Sequence, residues 1–134
     1  MKRSGKGKIV IPAGVNVWPH ELETAKALAN YGYEIEFKKK DEEYKVHSAD
    51  VYMGGELWEF KAPKSSNLDA VERNLRRAKR QSSYIVFDSN RIKKIPDTAL
   101  EREILSKAPH ISGIKKIIFV NRKRNCVDIY KKVR

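Results

Sequence analysis

Leu22, Ala25, Leu28 and Ala29 recur at helical spacing, which predicts a first helix over residues 19–31. Pro19 suits the first helical position, where its missing N–H costs nothing, and Gly32 ends the helix. Beyond it the period shortens. Tyr33, Ile35 and Phe37 alternate with Glu34, Glu36 and Lys38, the pattern of a half-buried strand. Residues 38–45 are polar and predict a loop or a frayed hairpin. Strand-like runs at 50–53 and 56–61 flank Gly54-Gly55, a two-residue hairpin signal. Pro63 and Ser65-Ser66-Asn67 break the chain. A second helix is expected over 68–81, with Leu68, Val71, Leu75 and Ala78 facing inward. The apolar run 84–87 reads as a buried strand. Pro96-Asp97 opens a third helix reaching about residue 107, and 114–120 with 126–130 form a last hairpin. Helix, three strands, helix, strand, helix and two strands predict an α/β domain: a mixed sheet flanked by helices.

The hairpin carries the sharpest chemical expectation. A two-residue turn at Gly54-Gly55 pairs Met53 with Glu56, and continuing that register sets Asp50 opposite Glu59. Opposed residues share a face with Cβ atoms about 5 Å apart, and Lys61, two positions on, shares it too. Two carboxylates at that separation repel by about 3 kcal/mol at an effective dielectric near 20, a cost that a divalent cation removes. Mg²⁺ takes one or two carboxylates and keeps its waters. A lysine beside such a water suits attack on a phosphodiester. The bland alternative is an exposed hairpin with a surface Glu59–Lys61 pair. Leu57, Trp58 and Phe60 weigh against it, because they predict a strand buried on both faces, where charges need partners or a purpose.

Composition narrows the partners. Of 134 residues, 29 are Lys or Arg and 17 are Asp or Glu, a net charge of +12, which favours polyanions and nucleic acid first. No apolar run is long enough to span a membrane. Residues 1–8 are basic, contain glycine and lead into no hydrophobic stretch, so they read as a flexible arm ahead of one domain over 9–134. The single cysteine, Cys126, excludes an intrachain disulfide and a cysteine metal cage, and its strand-like setting predicts a packed thiol. The histidines His20, His47 and His110 lack zinc-site spacing, with His20 beside Glu21 more often structural than catalytic. Ser65 and Ser66 have no triad context. Arg73, Arg77 and Arg80 fall on one face of the second helix, fit to track a phosphate backbone. Asn74, Gln81 and Lys64 are further candidates for substrate contact.

Asp50, then Glu59-Phe60-Lys61, matches the PD-(D/E)xK nuclease signature without its proline, since Ala49 precedes Asp50. The predicted αβββαβ order is the core of that restriction-endonuclease-like superfamily. Within it, Trp18-Pro19-His20-Glu21-Leu22-Glu23-Thr24-Ala25, Tyr31-Gly32-Tyr33-Glu34-Ile35-Glu36-Phe37, Trp58-Glu59-Phe60-Lys61-Ala62-Pro63-Lys64 and the 71–82 helix resemble the CdiA C-terminal tRNA nuclease family of contact-dependent growth inhibition toxins. The resemblance runs from about residue 9 to 120. It implies Asp50 and Glu59 as metal ligands and Lys61 as the catalytic lysine. A helix-one glutamate completes the site. Glu21 and Glu23 both qualify, and about 200° of helix rotation separates them, so one of the two faces the metal squarely. It further implies Mg²⁺ or another divalent cation, tRNA as substrate, a cognate immunity protein, and action in the cytoplasm of the host or of a recipient cell. Two alternatives stay open: a DNA endonuclease of the same fold, and a non-catalytic nucleic-acid-binding module.

Overall fold

The computed structural model describes residues 6–39 and 50–133. Among them, seven strands and three α-helices follow one another as β1 (Ile9–Val10), α1 (Pro19–Asn30), β2 (Ile35–Phe37), β3 (Val51–Met53), β4 (Glu56–Lys61), α2 (Asp69–Lys79), β5 (Tyr84–Asp88), α3 (Asp97–Lys107), β6 (Lys116–Val120) and β7 (Cys126–Lys131). The strands form one mixed sheet whose spatial order is the chain order, β1 to β7. β4, β5 and β6 run parallel at its centre, with antiparallel hairpins β3–β4 and β6–β7 on either side. The expected αβββαβ core is present, with α3 and the last hairpin after it.

Each helix occupies the face that its apolar stripe dictates. Ala25, Leu28 and Ala29 of α1 pack on Ile35, Phe37, Val51, Met53, Trp58, Phe60, Val86 and Ile118. Val71, Leu75 and Ala78 of α2, with Leu100 and Ile104 of α3, pack on Ile85, Phe87, Ile117 and Phe119 from the other side. Adjacent residues of β5 and β6 thus serve opposite layers, which is why these strands read as unbroken apolar runs. α1 ends as expected, with Gly32 at φ +94°, a conformation that favours glycine. α2 is shorter at both ends than the apolar pattern suggested, because Asn67 Oδ1 accepts the Asp69 N–H at 2.9 Å and the chain turns at Arg80.

β1 was not foreseen. Two residues are too few to show a period, and the strand exists through its parallel pairing with Ile35 and Glu36. Residues 1–5 of the expected arm lie outside the described residues. Gly7 does not behave as a loose arm: its N–H donates to Ala29 O at 2.7 Å, and a Cβ there would fall 1.8 Å from Tyr33 O. The loop expected over 38–45 and His47 fall largely outside the described residues. Cys126 is a buried thiol that donates to Ala27 O at 3.5 Å. No helix among the described residues is long and apolar enough to cross a membrane.

Candidate active site

Gly54 and Gly55 adopt φ +60° and +81°, so the tight turn holds and the register is Met53–Glu56, Tyr52–Leu57 and Val51–Trp58. Trp58 and Phe60 point into the α1 layer; alternation sends Glu59 and Lys61 to the α2 side. Phe37 meets Phe60 edge-on, with centroids 6.2 Å apart, fixing β4 beside the charged residues.

The regular pairing stops one residue before the expected Asp50–Glu59 opposition. At Asp50 the chain bends. Its N–H donates to Trp58 O and its carbonyl accepts the Lys38 N–H, each at 3.0 Å. Its Oδ2 accepts the Phe60 N–H at 2.9 Å. A side-chain oxygen has thereby taken the place of a backbone acceptor. Asp50 thus reaches the backbone of the residue after Glu59, instead of sitting in a direct cross-strand pair with it. Both carboxylates are buried, at 5% and 7% exposure. Lys61 Nζ lies 3.5 Å from Glu59 Oε2.

The two helix-one glutamates separate. Glu21 lines a cleft of about 670 Å³ together with Asp50, Val17, Trp18, Phe37 and Lys38, and its Oε1 accepts the Trp18 N–H at 3.0 Å, one half of a capping box. Glu23 is exposed and pairs with Lys26 at 3.4 Å. His20 is half-buried between these groups. Burial lowers its pKa below the usual histidine value, Arg91 and Lys64 lower it further, and Glu21 and Asp50 oppose them. His20, Glu21, Asp50, Lys64 and Arg91 therefore share one electrostatic neighbourhood. Arg91 enters from the loop after β5, where its Nε donates to Ala62 O at 2.7 Å. Sequence reasoning passed over it. The signal was its place just beyond a parallel strand's carboxyl end, where open α/β sheets gather their sites.

The remaining candidates lie farther out. Arg73, Arg77 and Arg80 are exposed on the outer side of α2, spread along about 10 Å of helix. Asn74 turns back on its own helix, donating to Ala70 O at 2.8 Å. Gln81 follows α2, next to Ser82, whose hydroxyl donates to Leu57 O. That is the opposite end of β4 from Lys61, about 13 Å along the strand.

A third buried carboxylate escaped sequence reasoning. Asp88, at 1% exposure, accepts from Thr24 Oγ1 at 2.6 Å, from the Asn90 N–H at 2.8 Å, and from both terminal nitrogens of Arg124 at 2.7 and 2.9 Å. Arg124 sits at φ +65° in the β6–β7 turn. The hydrogen bond to Asp88 raises its pKa above the usual arginine value. This centre ties α1, β5 and the last hairpin together.

Among the described residues, no three of His, Cys, Asp and Glu form a ready-made metal cage. No curated protein matches the chain. A solved CdiA-CT/CdiI toxin and immunity complex from Burkholderia pseudomallei contains a similar chain, with TM-score 0.68 at 20% identity over 90% of this chain and 97% of that one. That identity speaks to the fold alone. A sequence model of the contact-dependent growth inhibition CdiA C-terminal domain matches residues 47–126, well over half of the chain and including the whole β3–β4 hairpin, and the protein therefore belongs to that family.

Proposed function

We propose that this domain is a metal-dependent nuclease that hydrolyses phosphodiester bonds in tRNA, acting as a toxin in a recipient cell and held in check by a cognate immunity protein. The observation that carries the reading is the buried Glu59 with Lys61 3.5 Å away on β4, next to the Phe60 N–H that binds buried Asp50, a residue that also lines a cleft with Glu21. Family membership supports the toxin role. The similar solved chain, part of a toxin and immunity complex, supports the expectation of a partner. The choice of tRNA rests on the sequence resemblance.

The donor set suits a hard cation. Mg²⁺ needs only one or two protein carboxylates, filling its other positions with water and substrate oxygens. Asp50 and Glu59 would supply that number of carboxylates, whereas a four-ligand structural zinc site finds no counterpart among the described residues. When bound, the ion supplies Lewis-acid charge to the phosphate under attack. Lys61 offers three N–H donors; it orients the attacking water and neutralises charge building on the phosphate. Arg91 and Lys64 add positive charge at the same end of the sheet. Water bonds to phosphorus, one P–O bond breaks, and the departing oxygen takes a proton.

The test is incubation of total tRNA and of plasmid DNA with wild type and Lys61→Ala, in Mg²⁺ or EDTA. The expected result is loss of tRNA in Mg²⁺ alone and with wild type alone. Cleavage of DNA instead keeps the chemistry and replaces the substrate. Tight binding without cleavage under several divalent ions assigns the protein to the binding-module class.

A further inference from the structure

The cleft beside Asp50 has a rim that the chemistry above does not use. Trp18 is 68% exposed, whereas Trp58 is 5% exposed, with its indole N–H donating to Met53 O at 2.9 Å. An indole in water is an unspent apolar surface. Its backbone is held in place: the Glu21 carboxylate accepts the Trp18 main-chain N–H at 3.0 Å, and Pro19 follows as the first residue of α1. One glutamate thus lines the cleft and fixes the backbone that carries the indole. Val17, Phe37, Lys38 and Lys39 line the same cleft, whose volume of about 670 Å³ lies in the range of small-molecule sites.

An aromatic ring, a partly apolar floor and flanking cations in one cleft are the means by which proteins hold unpaired nucleotides: the base stacks and the cations meet the phosphates. With a chain charge of +12, charge complementarity favours a nucleic-acid strand over a basic or neutral occupant. We propose that Trp18 stacks on an unpaired nucleobase of the substrate, so that the strand enters the cleft through a loop, an end or a flipped-out nucleotide. A base inside a duplex is stacked on both faces and offers none to the indole. The inference rests on the nuclease reading and narrows its substrate to single-stranded or looped nucleic acid.

The test uses the full chain in EDTA, so that nothing metal-dependent is cut. Three probes are titrated: a short single-stranded RNA, the same strand with abasic positions, and a blunt duplex of the same sequence. Indole emission and affinity are followed for wild type, Trp18→Ala and Trp18→Phe. The intact strand should quench wild-type emission and bind it about 5- to 100-fold more tightly than Trp18→Ala. Trp18→Phe should recover part of that gap, and wild type should hold the abasic strand and the duplex as weakly as Trp18→Ala holds the intact strand. Trp58 emission and far-UV dichroism check the fold of each variant. Equal binding by wild type and Trp18→Ala, or equal binding of intact and abasic strands, overturns the stacking role and leaves the nuclease reading standing. Failure of wild type to bind any of the three overturns both.

Discussion

Two buried carboxylate centres lie at the ends of neighbouring strands, and they are built on opposite principles. At the end of β5, Asp88 is met by a bidentate guanidinium, a hydroxyl and a backbone N–H, all within 2.9 Å. At the end of β4, the ammonium of Lys61 stands 3.5 Å from Glu59, on a longer and more flexible stem, and Asp50 spends an oxygen on holding the backbone of β4. The first arrangement leaves nothing to rearrange. The second joins a flexible ammonium–carboxylate pair to a side-chain tie from Asp50, which itself lines the cleft. A buried acid alone is therefore no sign of function, since structural ion pairs bury acids too.

The largest effect expected from this contrast is on activity. Lys61→Ala should lower the rate of tRNA cleavage about 10²- to 10⁴-fold. Glu59→Gln should abolish Mg²⁺-dependent cleavage while leaving the denaturation midpoint unchanged or raised, since charges held for function commonly cost stability. A collapse of the fold in Glu59→Gln would erase the distinction between the centres. Arg124→Ala should do the reverse. Removing one partner of a buried ion pair costs about 3–5 kcal/mol, to be read from urea titrations, and wild-type cleavage should persist in the fraction that remains folded. A milder effect is expected for the triple change of Arg73, Arg77 and Arg80 to Gln. Affinity for tRNA should fall about tenfold at low salt, and the salt dependence should flatten by roughly 0.7–0.9 per lost phosphate contact, with the single-turnover rate at saturation unchanged.

The smallest effect concerns Tyr33, a third kind of buried ionisable group, whose hydroxyl donates to Asp128 at 3.4 Å. Burial, aided by the Asp128 charge, pushes its pKa up to about 12 from an ordinary 10. Above pH 10 the unfolded chain releases this proton and the folded chain retains it. Tyr33 therefore contributes stability that is present below pH 10 and is lost as pH rises toward 12, at most about 2–3 kcal/mol. Tyr33→Phe should decline less steeply than wild type in urea midpoints measured across that window.

What could be read in advance follows the range of the forces involved. α1, α3 and the β3–β4 hairpin announced themselves through periodicity and glycine, both local signals, and Asp50, Glu59 and Lys61 came with them because the hairpin joins them within a dozen residues. The bend at Asp50 was hidden, since nothing in the spacing says that its carboxylate takes the Phe60 N–H. Two glutamates two positions apart on α1 were equivalent on paper; only packing brought Glu21 to the cleft with Asp50 and left Glu23 with Lys26. β1, Arg91 and the Asp88–Arg124 pair depend on contacts across distant parts of the chain. Arg124 meets Asp88 across 36 residues, a distance over which one sequence carries no pattern.

The match between strand order and chain order also bears on how quickly the domain can form. Each strand of the sheet docks on the one made just before it, so every pairing closes a loop no longer than one helix and its connections. Closure entropy grows with loop length, and folding rates fall as contacting residues become more distant in sequence. A sheet assembled in this sequential way needs no early meeting of its two ends. The consequence is kinetic: refolding from denaturant should be faster than for a mixed sheet of similar size whose central strands are far apart in the chain.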